Sequence, residues 1–169
     1  MTQEEISGLI TAPKIITSST RTKFKLVNRS RRINLEATSE DKQFRFEIFI
    51  RQSEKFEEKF SIGLCYIPEK DENIVLARYN GSHGMHINKF TDGQILTTFH
   101  KHFATEEAFQ KGIKPEHTAR VANYAHFSEA LLRFFIELNF NNYRNYLEIF
   151  GIEDISLTQL NLFDNQNNT

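Results

Sequence analysis

The sequence predicts an α+β fold, in which an antiparallel sheet of about five to seven strands occupies the N-terminal two-thirds and packs with C-terminal helices. The first observation is the alternation of apolar and polar residues in several segments between residues 15 and 103, which is typical of strands with one buried face. The second is the spacing of apolar residues after residue 127, which follows the period of a helix.

The first predicted element is a short N-terminal helix. Thr2 and Glu5 have the spacing of a capping box, and Ile6 and Leu9 share one apolar face. Pro13 is expected to end this helix, because proline cannot continue the pattern of backbone hydrogen bonds.

A series of strands follows the helix. The clearest covers residues 44–51, where apolar residues occupy every second position. The positions between them hold charged residues and Phe49, so the face with the apolar residues is predicted to be core. The predicted strands cover residues 24–26, 33–35, 44–51, 60–66, 73–79 and 97–103.

Helices are predicted after the last strand. Thr105 is a suitable cap for the first of them, and Gly112 ends it. Residues 128–139 form a strong, largely apolar helix, and residues 142–150 form a shorter one that Gly151 closes.

Composition places the chain among globular proteins. Of its 169 residues, 39% are hydrophobic and 25% are charged, and the net charge is -1. We predict a single domain over residues 1–163 and a flexible polar tail over residues 164–169. The single cysteine, Cys65, excludes an internal disulfide. Because no apolar run approaches the ~20 residues of a membrane span and the N-terminus is acidic, we expect a cytoplasmic protein with no membrane partner.

Charge is uneven along the chain. Six basic residues follow one another with no acidic residue between them: Arg21, Lys23, Lys25, Arg29, Arg31 and Arg32. They are consistent with an ordinary solvated surface and equally with a phosphate-binding face on a hairpin. In the second interpretation Arg29, Arg31 and Arg32 are binding residues.

All six histidines lie between residues 83 and 126. In the strand at 97–103, Phe99, Lys101 and Phe103 share one face, which we expect to be the core side. His100 and His102 then project from the opposite, exposed face.

Residues from the preceding strand are expected to join these two histidines. Arg78 and Asn80 share a strand face and run directly into the glycine-rich segment that carries His83 and His86. If the two strands are neighbours, Arg78, Asn80, His83, His100 and His102 form one cluster.

Three chemistries use such a cluster. Four imidazoles, from His83, His86, His100 and His102, are suitable zinc ligands. Histidines also act as general acid and base near neutral pH, which is enough to cleave RNA because RNA carries its own 2′-hydroxyl nucleophile. The third alternative is a surface that only binds a phosphate backbone or a protein. Carboxylates are scarce in this segment, which favours metal-independent action on RNA over a magnesium nuclease. We therefore expect no bound metal and no cofactor.

The segment from Arg78 to His83, followed by His100 and His102, resembles a group of small bacterial proteins with an Arg-x-(Asp/Asn)-x-x-His motif and a later His-x-His strand. That group is similar to the TumE-type toxins of bacterial toxin–antitoxin pairs. The resemblance extends over roughly residues 2 to 150. It implies a ribonuclease-like activity and a cognate antitoxin as protein partner. Asn80 stands where an aspartate is common in the pattern, and the N-terminal sheet is longer than in the shortest members.

The leading hypothesis is a toxin-like endoribonuclease of a bacterial or phage-related system. Arg78 holds the phosphate, His100 and His102 exchange protons, and His83 or Asn80 positions the substrate. Lys101 and His86 are further candidates for binding. The alternative is a non-enzymatic binding module, such as a phage-encoded inhibitor of a host defence system.

Overall fold

The structure, a computed structural model, describes residues 1–20, 23–82, 86–87, 95–96, 98–112 and 119–152. The predicted tail at 164–169, the end of the predicted domain at residue 163, and His83 lie outside the described residues. None of the described helices combines the length and the apolar character that crossing a membrane requires.

The described elements include the predicted ones in their predicted order. The helices are α1 (Gln3–Thr11), α2 (Glu106–Gln110), α3 (Phe127–Glu137) and a 3₁₀ helix (Tyr143–Phe150). The strands are β1 (Lys14–Ser19), β2 (Lys25–Val27), β3 (Ser30–Ser39), β4 (Arg45–Ser53), β5 (Phe60–Ile67), β6 (Ile74–Asn80), β7 (His86–Ile87), β8 (Ile95–Leu96), β9 (His100–Phe103) and β10 (Ala119–Val121). The predicted strands did not include β1, β7, β8 and β10.

The predicted antiparallel sheet and C-terminal helices are confirmed. Within the described ranges, one sheet has the order β1-β3-β4-β5-β6-β9-β10, and β2 pairs with β3 beside β1. Every pairing between its strands is antiparallel. A separate two-stranded sheet joins β7 and β8. In the larger sheet, the long pairings from β3 to β6 form the centre. Strand β9 is an interior strand of that sheet, because β6 pairs with one of its edges and β10 with the other.

Each strand divides its side chains between two faces. On β4, Phe46, Ile48 and Ile50 are buried in the core, whereas Phe49 and Arg51 on the other face are only partly covered. Helices α1 and α3 pack on the core face. The opposite face carries mostly polar side chains, and we call it the polar face.

Local signals predicted the helix ends well. Thr2 and Glu5 form the predicted capping box, and α1 ends at Thr11, ahead of Pro13. The segment before Gly151 is a 3₁₀ helix rather than an α-helix, and Gly151 ends it with a φ of 67°.

Lys14 is fully buried without a carboxylate partner among its described contacts. Its ammonium group donates to the carbonyl oxygens of Ile10 at 2.7 Å, Ala12 at 2.8 Å and Leu138 at 3.1 Å. These carbonyls lie at the C-terminal ends of α1 and α3, where helices leave acceptors without an intrahelical donor. Lys14 therefore ties the two helix ends to the first strand.

Aromatic rings complete the surroundings of this ammonium group. The Lys14 nitrogen lies 5.1 Å from the ring centre of Phe46 and 5.7 Å from that of Phe140. Burial lowers the pKa of Lys14 from 10.5 to about 8.

We expect Lys14→Met to lower the free energy of unfolding by about 2–4 kcal/mol at pH 7, because the buried carbonyls lose their donor. Between pH 8 and 10.5 the unfolded chain binds more protons at this lysine than the folded chain does. Wild-type stability relative to the variant should therefore rise with pH across that window. Urea unfolding of both proteins from pH 7 to 10 measures this.

The exposed Lys23→Met serves as the control and should change stability by less than about 0.5 kcal/mol. A stability gap between wild type and Lys14→Met that narrows as the pH rises would contradict the buried, depressed lysine.

Candidate functional site

The polar face brings four of the predicted site residues together. In the register of β6 and β9, Arg78 faces His102 and Asn80 faces His100. Residues directly opposite in an antiparallel pair point to the same side of the sheet, so these four side chains are neighbours. His83 lies outside the described residues, and only the backbone of His86 is described, in β7. The zinc alternative needs both side chains and therefore stays untested, as does the expectation of no bound metal.

A chain of hydrogen bonds connects three strands within this cluster. The Ser61 hydroxyl donates to Asn80 Oδ1 at 2.7 Å, and Asn80 Nδ2 lies 3.3 Å from His100 Nε2. His100 Nδ1 lies 2.8 Å from the carbonyl oxygen of Thr98. Because a carbonyl only accepts, Nδ1 carries the proton in a neutral ring, and Nε2 accepts from the amide. The network therefore selects one tautomer of His100.

His102 lies beside this network. Its ring centre is 4.9 Å from that of His100, and the two rings are nearly perpendicular, at 87°. The Arg78 guanidinium carbon lies 5.2 Å from the ring centre of Phe49, on the neighbouring part of the polar face. The two imidazoles are thus adjacent on β9, whereas the guanidinium of Arg78, the residue opposite His102, extends toward Phe49 on β4.

The expectation that His100 and His102 project from an exposed face is wrong. Their exposed fractions are 0% and 1%, and that of Asn80 is 2%. β9 is an interior strand, flanked by β6 and β10, and its polar side chains bond within the protein. Substitution of either histidine therefore acts on a buried group.

Lys101, a further candidate for binding, does not join the cluster on the polar face. Strand alternation places it with Phe99 and Phe103 on the core face. Its ammonium group lies 2.6 Å from Glu137 Oε2, and it sits 4.7 Å from the ring centre of Tyr79. Lys101 thus connects β9 to α3 on the side away from the histidines.

The basic segment forms a hairpin, but its cations do not share one face. Asn28 and Arg29 have φ values of 50° and 60° and make the two-residue turn between β2 and β3. Arg32 faces Lys25 on the polar face. Arg31 points to the other side of the sheet, where it lines a cavity of about 740 Å³ together with Phe127 at the start of α3. The predicted single basic face is divided by the alternation of the strand.

Sequence reasoning missed part of the polar face. Phe49 packs directly on Gly63, since a Cβ added to that glycine would lie 2.1 Å from the far end of the ring. The Arg51 guanidinium carbon lies 5.7 Å from the same ring, and one of its nitrogens donates to the carbonyls of Ile33 and Ile50. An aromatic residue in the polar half of an alternating strand was the available signal.

We expect His100→Ala to lower the free energy of unfolding by about 2–4 kcal/mol, because it removes a buried ring and the bonds to Asn80 and Thr98. The matched control is His126→Ala. His126 is exposed, and although it stands just before the first residue of α3, its side chain makes no capping hydrogen bond to that helix. The control should stay within about 0.5 kcal/mol of wild type. Urea unfolding measures both, and equal small effects would contradict the burial of His100.

The chain was compared with protein families, curated proteins and solved structures. No curated protein and no solved structure matches the chain. Residues 1–140 match DUF6978, which is described as a family of unknown function, and this span contains all the residues of the cluster. Since the match extends over well more than half of the chain, the protein belongs to the DUF6978 family.

Proposed function

We propose that this protein acts on RNA as a toxin-like endoribonuclease, with its reaction centre at Arg78, Asn80, His100 and His102. The observation that supports it is the register of β6 and β9, which places Arg78 opposite His102 and Asn80 opposite His100 on one face of the sheet. Those are the groups that phosphodiester cleavage by acid–base chemistry requires.

The reaction uses the nucleophile within RNA. One imidazole accepts the proton of the 2′-hydroxyl as its oxygen attacks the phosphorus, and the other donates a proton to the departing 5′-oxygen. The products are a 2′,3′-cyclic phosphate and a 5′-hydroxyl. Arg78 stabilises the negative charge that develops on the phosphate, and Asn80 holds His100 in the tautomer described above.

The donor set supports this chemistry over a magnesium-dependent one. Among the described side chains of the cluster there are imidazole, amide, hydroxyl and guanidinium groups, whereas magnesium prefers carboxylate and water oxygens. DNA, which lacks the 2′-hydroxyl, is accordingly not the proposed substrate.

Burial supports a second candidate, the non-enzymatic binding module. His100 and His102 are as buried as core residues, and His100 already bonds to Asn80 and Thr98. A substrate must reach these rings for catalysis, whereas a binding protein needs only the exposed cations of the face. In that case the partner is an acidic protein, and binding weakens with salt.

We expect the purified protein to cleave single-stranded RNA in the presence of a metal chelator. His102→Gln should reduce the cleavage rate by about 10²–10⁴-fold, because it removes a proton-transfer group. Expression of the wild-type chain should slow bacterial growth, and His102→Gln should relieve that effect. Gel analysis of the RNA and growth curves measure the two outcomes.

His126→Gln is the matched control, because it removes an exposed histidine from the other side of the sheet and should retain full activity. Circular dichroism confirms that each variant is folded. A wild-type protein that neither cleaves RNA nor slows growth would contradict the enzyme and leave the binding module.

A further inference from the structure

The polar face continues well beyond the histidines as a row of cations. Lys25 faces Arg32, Arg32 faces Arg51, and Arg51 faces Ser61 across consecutive strands. Ser61 in turn bonds to Asn80, which contacts His100. Three positive side chains therefore lead, in register, to the proposed reaction centre.

This row costs the folded protein stability. Like charges directly opposite each other on neighbouring strands repel. Within the described part of the chain, no salt bridge involves Lys25, Arg32 or Arg51. Burial first, and then the positive charge of Arg32, lower the pKa of Arg51, and the negative charge of Glu47 only partly offsets them. An anion bound along the row would relieve the repulsion.

Two shallow cavities lie along the row, and each has lining residues that carry hydrogen-bond donors. The first has a volume of about 280 Å³, and its lining includes Arg29, Arg51, Lys59, Ser30, Ser53 and Ser61. The second has a volume of about 260 Å³, and its lining includes Lys25, Arg32, Thr20 and Asn34. No carboxylate belongs to the described lining of either cavity. Guanidinium, ammonium and hydroxyl donors without a competing acid suit phosphate groups.

An aromatic ring lies next to the row. Phe49 is half-buried on the polar face, with the guanidinium groups of Arg51 and Arg78 within 5.7 Å and 5.2 Å of its ring centre. Gly63 leaves the space under the ring that any other residue would fill. A positively charged groove with an aromatic side chain is the arrangement by which proteins bind single strands, because every base has a face that stacks.

We propose that the polar face binds single-stranded RNA, with phosphates along Lys25, Arg32 and Arg51 and one base stacked on Phe49. The five strand spacings from β2 to β9, at ~4.8 Å each, give a track of about 24 Å, enough for several nucleotides. An RNA strand bound along this row would extend to His100 and His102. This inference deepens the proposed function and rests on it for the identity of the nucleic acid as RNA.

The test is the binding of a labelled oligoribonucleotide, single-stranded or annealed to its complement, measured by fluorescence anisotropy with the full-length protein. Phe49→Leu should weaken binding of the single strand by about tenfold, the loss typical of one stacked base. The control Phe44→Leu removes a partly buried ring that packs against Tyr66 on the core side of the sheet, and should change little.

Charge variants test the phosphate contacts. Binding constants over a range of salt concentrations should show a slope that is smaller by about 0.7 for each phosphate contact removed in Lys25→Gln and Arg32→Gln. Arg144→Gln, an exposed arginine on the 3₁₀ helix, should leave the slope unchanged. Thermal unfolding checks that every variant is folded.

Gly63→Ala is a second test of the role of the Phe49 ring. The added methyl group requires Phe49 to move, with no change of charge, and should weaken binding of the single strand as Phe49→Leu does.

Three outcomes would each overturn the inference. They are equal affinity for single strand and duplex, no loss of affinity in Phe49→Leu, and equally tight binding of an acidic polypeptide.

The two proposals fail in different ways. Binding that depends on Phe49 without any cleavage of RNA supports the track and contradicts the ribonuclease. Cleavage that depends on His102 but is indifferent to Phe49, Lys25 and Arg32 supports the ribonuclease and overturns the track.

Discussion

The antiparallel register from β3 to β9, which shifts once between Leu64 and Cys65, decides which side chains share a face, and the polar face exists only in that register. A slip of one residue would turn Arg78, Asn80, His100 and His102 into the core. Core pairs on the other face, such as Ile62 with Tyr79, oppose the slip because it would expose them to water. Burial of apolar surface on one side of the sheet therefore positions the polar side chains on the other.

Hydrogen bonds from the core side hold the same strands in place. The Tyr124 hydroxyl donates to the carbonyl of Asn80 at 3.1 Å and to that of His100 at 2.9 Å. Its ring stacks on Tyr79 with 5.9 Å between centres. Burial raises the pKa of Tyr79 and of Tyr124, so both hydroxyls remain donors. Contacts on the core face thus hold the backbone that carries the polar cluster. The ion pair between Lys101 and Glu137 also joins β9 to α3.

The two ends of the polar face differ in burial, and this separates their roles. His100 and Asn80 are buried and hydrogen-bonded to each other, and a hydrogen bond is stronger in the interior than at the surface. Lys25 and Arg32 are exposed and repel each other. The exposed cations are therefore accessible to a ligand from solvent, whereas the buried side chains already have partners within the protein.

Local patterns alone determined much of this protein. The alternation in residues 44–51 was enough to identify the core face of β4, and Thr2 with Glu5 was enough to place the start of α1, because these signals depend on neighbours in the sequence. They also put Arg78 with Asn80, and His100 with His102, on shared strand faces. Only the tertiary structure decided that β6 and β9 are neighbours, that β10 makes β9 an interior strand and that the histidines are buried. It also decided that Lys101 binds Glu137 and that Phe49 lies on Gly63, since these contacts join residues far apart in the chain, which no local period encodes.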